Sequence, residues 1–339
     1  MTSDRFDVHA RELQLDALLH EAAGVLPAPG LADRIADALH GARSRSFAPS
    51  RRTLLAAAVA LFGLGVVGGV AWWQQNGGSI AAIAVAEPDT QDPQPAPAVP
   101  KRALTLIADY SDNRVFEVDE NGKVVFSLDD VFGAWDAELL QNGNLLLTEF
   151  SVSRVQEIDR RGNVVWEYEN LKNPYCAERL GTGNTLIADT FASRVIEVDK
   201  DGKVVWEFGT EIRPFDAERL VNGNTLIADV LGDRVIEIDK EGEIVWERRD
   251  LPNVHDADRL PNGNTLVTLR NKGAVYEIDR DGKIVWEIEG CSSPSDADRL
   301  PNGNTLIAEN TQVREVDPDG RTVWRRETTW AVEANRYYR

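Results

Sequence analysis

The chain has 339 residues, 42% hydrophobic and 27% charged, which is enough apolar content for one large core or two domains and too much for a disordered chain. Its 56 acidic residues against 37 basic give a formal charge of −19, which excludes nucleic acid as a partner, because phosphate binding needs a Lys/Arg-rich surface; a basic or cationic partner fits instead. Two cysteines and four histidines supply neither a disulfide framework nor a metal-ligating cluster, so no metal site is expected, and no motif names a cofactor.

In residues 1–50, Leu15, Leu18, Leu19 and Ala22 recur at helical spacing, and after the break VLPAPG a second pattern puts Leu31, Ile35 and Leu39 on one face. This predicts a short α-helical arm. His9, His20 and His40 are scattered through it without a cysteine partner and read as solvated surface. Residues 53–73, TLLAAAVALFGLGVVGGVAWW, carry no charge and are long enough for one transmembrane helix through a hydrocarbon core of about 30 Å. Arg43, Arg45, Arg51 and Arg52 stand before the span and Trp72 and Trp73 at its far end. By the positive-inside rule the arm stays in the cytoplasm and the rest is exported, which places the chain in a bacterial inner membrane with a periplasmic domain. The alternative is SRRTLL (50–55) as a twin-arginine signal, with Ala84-Val85-Ala86 as its cleavage site. The retained anchor is adopted because a patterned arm precedes it. Arm, basic cluster and single span together resemble the cytoplasmic part of single-pass regulators such as anti-sigma factors, which implies a cytoplasmic protein partner for the arm. Residues 74–101, with Pro88, Pro93, Pro95, Pro97 and Pro100, read as an extended linker.

From 102 to 339 one phrase recurs every 40 residues. Tight turns fall at Gly143, Gly183, Gly223, Gly263 and Gly303, each followed by a strand of the type TLIAD, then RVIEID, a DxxGK turn and IVW. Four antiparallel strands per repeat without helices predict an all-β domain, a six-bladed β-propeller. The first copy, at 105–109, lacks its opening strand, and EANRYYR (333–339) reads as the missing piece, so the carboxyl-terminal strand is expected to close the ring. The aromatics Phe126, Trp166, Trp206, Trp246, Trp286 and Trp324 hold one fixed position and are expected to pack blade on blade. Pairs Asp109/Arg114, Glu149/Arg154, Asp189/Arg194 and Asp229/Arg234 are expected to bridge the second hairpin of their blades.

The first and third turns are nearly invariant between repeats, whereas the second turns and the interblade links differ in every copy. Binding is therefore expected on the face that carries the variable segments. Just before the innermost strands stand Trp135, Tyr175, Phe215, His255 and Ser295, with Trp330 near the last link. The next position holds Asp136, Cys176, Asp216, Asp256, Asp296 and Glu333. Five carboxylates and a thiol would then ring a channel mouth beneath an aromatic rim, fit for a cation or an amine-bearing ligand. The structural reading is that each Asp accepts backbone N–H groups from the neighbouring blade. Cys176 and Cys291 belong to well-separated blades and are expected to be isolated thiols.

The phrase HDADRLPNGNTLV (255–267) resembles the repeats of bacterial arylsulfotransferases, and DAERL…NGNTLIAD…RVIEID…GKIVW resembles NHL-type and quinoprotein-type (PQQ-like) propellers. The arylsulfotransferase resemblance implies sulfuryl transfer through a channel histidine, for which His255 stands at the matching position. The main expectation is a module that binds a protein or small molecule, and the transferase using His255 is its alternative.

Overall fold

The computed structural model describes residues 103–339 except 210. The predicted arm, span and linker lie outside the described residues. Among the described residues no helix is long and apolar enough to cross a membrane.

Six four-stranded antiparallel sheets form the blades of a propeller. The innermost strands of blades II to VI are Ala134–Leu139, Cys176–Arg179, Pro214–Arg219, Val254–Arg259 and Asp296–Arg299. Blade I takes its innermost strand, Ala331–Tyr338, from the carboxyl end, and pairs it with Ala103–Asp109 in a register that sets Leu106 opposite Asn335. The predicted closure is therefore present. The second strands, such as Thr185–Asp189 and Thr225–Asp229, are buried along their whole length because a neighbouring blade covers each face. The outermost strands alternate between half-buried and exposed, as in Ile244–Arg249. Gly223, with φ of 89°, occupies the left-handed position of its Asn-Gly-Asn turn, where a side chain would be strained.

The repeated phrase is a joint between blades. Trp206 of blade III donates its indole N–H to the Lys240 carbonyl of blade IV at 3.3 Å, and Arg219 from the innermost strand of blade IV lies 4.9 Å over the same ring. Arg219 also meets Glu197 of blade III at 3.0 Å, and Asn184 of the Gly-Asn turn donates to that carboxylate at 2.6 Å. The same joint recurs through Trp166/Arg179/Glu157, Trp246/Arg259/Glu237, Trp286/Arg299/Glu277 and Trp324/Arg336/Glu315. A cation stacked on an aromatic face contributes about 0.5–2 kcal/mol depending on desolvation. The joint between blades I and II differs, since Phe126 has no N–H to donate and Leu139 stands where the other innermost strands carry Arg. Arg160, from the third turn of blade II, supplies the cation instead, 4.7 Å over Phe126 and 2.5 Å from Glu117.

Three of the four expected hairpin ion pairs are present: Arg154–Glu149 at 2.7 Å, and Arg194–Asp189 and Arg234–Asp229 at 2.8 Å. The fourth is not. Arg114 lies 3.6 Å from Asp112, because both Asp109 oxygens accept backbone N–H groups, those of Thr329 and Trp330 at 3.0 Å. The acid at this position ties the interblade link down in other blades too, as Asp229 does to Arg213 N–H at 2.9 Å.

Candidate functional site

Inward-facing residues at consecutive positions require a break in strand alternation, and a β-bulge provides it. In blades II, IV and V the register shifts between Ala134 and Asp136, Pro214 and Asp216, and Val254 and Asp256. Trp135, Phe215 and His255 therefore turn inward together with the carboxylates that follow them, and all six residues line one central cavity. In blade I the bulged residue is Val332, between Ala331 opposite Asp109 and Glu333 opposite Ala108. Trp330, assigned to the rim from its place in the sequence, sits two residues earlier. It packs 4.9 Å from Tyr110 and 6.3 Å from Trp135 and does not line the cavity.

The expected open aromatic rim is closed. Trp135 and Tyr175 are 4.2 Å apart, Tyr175 and Phe215 4.2 Å, and Phe215 and His255 4.9 Å. Trp135 of blade II reaches His255 of blade V, on the opposite side of the ring, at 5.9 Å. Six blades leave so narrow a channel that rings of this size meet across it, and Trp135, Tyr175, His255 and Ser295 are buried as a result. Exposure then increases along the strands. Asp136, Asp256 and Asp296 are buried, while Cys176, Asp216 and Glu333 are half-buried. Two residues further on, Glu138, Glu178, Glu218, Asp258, Asp298 and Asn335 are all half-buried. The cavity is a cup of about 180 Å³ with an aromatic floor under the variable face and its mouth towards the first turns.

The second acidic tier was not anticipated, although every DAER-type phrase carries it. Side chains at i and i+2 of a strand share a face, so the Glu or Asp after the central Ala must point the same way as the first. Ten carboxylates, one thiol and one amide make up the two tiers, and no lysine or arginine lines the cup.

The structural reading of the carboxylates holds. Asp136 accepts the Ala177 N–H of the next blade at 2.8 Å, Asp256 that of Ala297 at 3.1 Å, Asp296 that of Ala334 at 3.0 Å and Asp216 that of Ala257 at 3.3 Å. Glu138, Glu178 and Glu218 repeat this one step lower, accepting from Arg179, Arg219 and Arg259 at 2.8–2.9 Å. Cys176 reverses the polarity, its thiol lying 3.9 Å from the Ala217 carbonyl. The carboxylates thus stitch neighbouring innermost strands and at the same time crowd negative charge into one space.

Burial, and then the charges of Glu138 and Asp216, push the Asp136 carboxyl up to about 8. Burial, and then neighbouring carboxylates, likewise raises Glu138 and Glu218 to about 7, and burial raises Asp298 to about 6. Asp256, Asp258, Asp296 and Glu333 are driven well above the carboxylate range by the same two causes. Burial and the adjacent Asp216 and Asp136 hold the Cys176 thiol protonated, so it is no nucleophile. Burial and the Arg270 charge keep His255 well below its usual range and therefore neutral, with Nδ1 3.2 Å from the Ser295 carbonyl. Among the described residues no group of three or more His, Cys, Asp or Glu is spaced to hold a metal ion, and both cysteines are free.

Fold and site define a six-bladed β-propeller with a blind acidic channel. Its repeats are similar to PQQ-type repeats: a family profile described as outer membrane protein assembly factor BamB matches residues 192–337. No curated protein matches the sequence significantly. Among solved structures, a protein of unknown function from Bacteroides caccae shares 19% identity at a TM-score of 0.61, covering 70% of this chain and 98% of that one. Virginiamycin B lyase from Staphylococcus aureus shares 13% at 0.51, covering 65% and 79%. At these identities the likeness is one of fold alone. The matching profile is of the PQQ type and lends no support to the arylsulfotransferase and NHL resemblances or to the anti-sigma-like arm.

Proposed function

We propose that the protein is a membrane-tethered binding module, carried outside the cytoplasm by the span at 53–73 and the linker at 74–101, that takes a positively charged group of a small-molecule or protein ligand into its acidic cup. The observation that carries this reading is the absence of any lysine or arginine among ten carboxylates lining one accessible cavity. Groups that repel one another to this degree are neutralised either by protons or by a cation from outside. The similarity to a profile described as an assembly factor supports binding over catalysis. Sulfuryl transfer through His255 is disfavoured by the same charge, which repels sulfate esters.

The test is a thermal-shift series on the full chain in detergent at pH 8, with amines, divalent cations, phenols and aryl sulfates. A ligand that binds the folded state raises its melting temperature. Cationic ligands are expected to raise it, and Asp216→Asn with Asp256→Asn to abolish the effect. A shift with aryl sulfates that depends on His255 would overturn the reading.

A further inference from the structure

The shape of the cup narrows the class of cation. Its two acidic tiers are two residues apart on the same strands, a separation of about 7 Å. At its floor Tyr175 and Phe215 are stacked and Trp135 is tilted by 47° against Tyr175, an aromatic cluster of the kind that attracts an alkylammonium group. His255 supplies an independent polar marker. It is 5% exposed and lines the cup, its Nδ1 is engaged with the Ser295 carbonyl, and its Nε2 has no partner among the described residues. With the proton on Nδ1, that second nitrogen is an acceptor on a residue that lines the cup, and it calls for a ligand that brings its own N–H donors. Asp256 and Asp296 each bond a backbone N–H through Oδ2, and their Oδ1 atoms have no donor among the described residues. No three of these donors are spaced for a metal ion.

Resting on the reading of the cup as a cation site, we infer that its ligand is a linear aliphatic diammonium ion, one ammonium at the upper tier against the aromatic floor and His255, the other at the lower tier near the mouth. The dimensions agree. An extended four-carbon diamine separates its nitrogens by about 6 Å, given bond lengths near 1.5 Å. A cavity of about 180 Å³ holds about six water-sized groups, and such a diamine has six non-hydrogen atoms.

The experiment is isothermal titration calorimetry of the full chain at pH 8 and constant ionic strength, with 1,4-diaminobutane, 1-aminobutane and magnesium chloride. The diamine is expected to bind at least tenfold more tightly than either of the others. Asp258→Asn with Asp298→Asn, which thins the lower tier, is expected to cut the advantage of the diamine over the monoamine to less than threefold. If the monoamine or magnesium binds as tightly as the diamine, the diammonium assignment fails and the cation cup stands. If none of the three binds, both fail. The comparison on the unsubstituted chain decides the matter even where the double variant does not fold.

Discussion

Ordinary proteins lose stability as acid protonates their carboxylates, and this propeller should gain it over the upper part of that range. Asp136, Glu138 and Glu218 have folded-state pKa values of about 8, 7 and 7. In the unfolded chain these groups titrate near 4. Between pH 5 and 7 the fold thus keeps protons that the unfolded chain has released, and each tilts the folding free energy by about 1.4 kcal/mol per pH unit. Stability from a raised pKa is fully present below the unfolded value and is lost as pH rises through the folded one. Three such groups would give about 4 kcal/mol per unit, but the glutamates are half exposed and the groups titrate against one another, so about 1–2 kcal/mol per unit is expected. His255, whose pKa is lowered, opposes this with one group below about pH 6.5. Carboxylates held low by partners, such as Glu247 and Glu315, take over only below about pH 4.5. At about 2–4 °C per kcal/mol for a domain of this size, the melting temperature should fall by about 4–16 °C from pH 5.5 to 7.5. Scanning calorimetry of the full chain without added cations measures this. Asp136→Asn, whose amide oxygen can still accept the Ala177 N–H, should flatten the slope. A melting temperature that is level or rises with pH over that window would refute the account of the cup.

Three other outcomes follow from the same geometry. Trp206→Ala removes the indole bond to Lys240 and the face under Arg219, and because the ring is half exposed it should cost about 2–3 kcal/mol, below the full core range, in chemical denaturation. Iodoacetamide at pH 7.5 should leave Cys176 and Cys291 unmodified in the folded chain and label both in denaturant, since burial keeps each thiol protonated; mass spectrometry reads the result. Removing residues 331–339 takes the innermost strand from blade I and with it the Ala334 and Arg336 contacts to blade VI, so the truncated chain should be digested by trypsin under conditions that leave the full chain intact.

The architecture was legible because the repeats restate the same local instructions around the ring: a turn glycine and an apolar run in all six, and an indole in five with Phe126 in its place in the first. Closure by the last strand was legible because EANRYYR keeps the alternation of the phrase it replaces. The joints were only half legible. The tryptophans announced packing, but the arginine and glutamate that complete each joint belong to different repeats, and no local spacing links Arg219 to Glu197. The site was least legible where backbone geometry decides it. Nothing in the letters around Val332 marks it as the bulged residue, so the larger Trp330 drew the assignment. The second carboxylate tier could have been read from strand alternation in DAER alone. Which end of the channel is blocked depends on ring dimensions across a closed circle, and sequence periodicity does not carry that information.

Five joints of the ring are alike and one is not. Where Phe126 and Arg160 stand in for a tryptophan and an innermost-strand arginine, no indole bond spans the gap, and the cation comes from a turn rather than from a strand. In a closed ring of near-identical parts, thermal breathing concentrates at the odd junction, so the amides flanking blades I and II should be the first of the inner-strand amides to exchange with deuterium. Those blades also hold the closing strand, whose Tyr337 hydroxyl reaches the same Glu117 that Arg160 occupies. One carboxylate therefore serves both the splice that completes the circle and its weakest seam, and loosening either should be felt at the other.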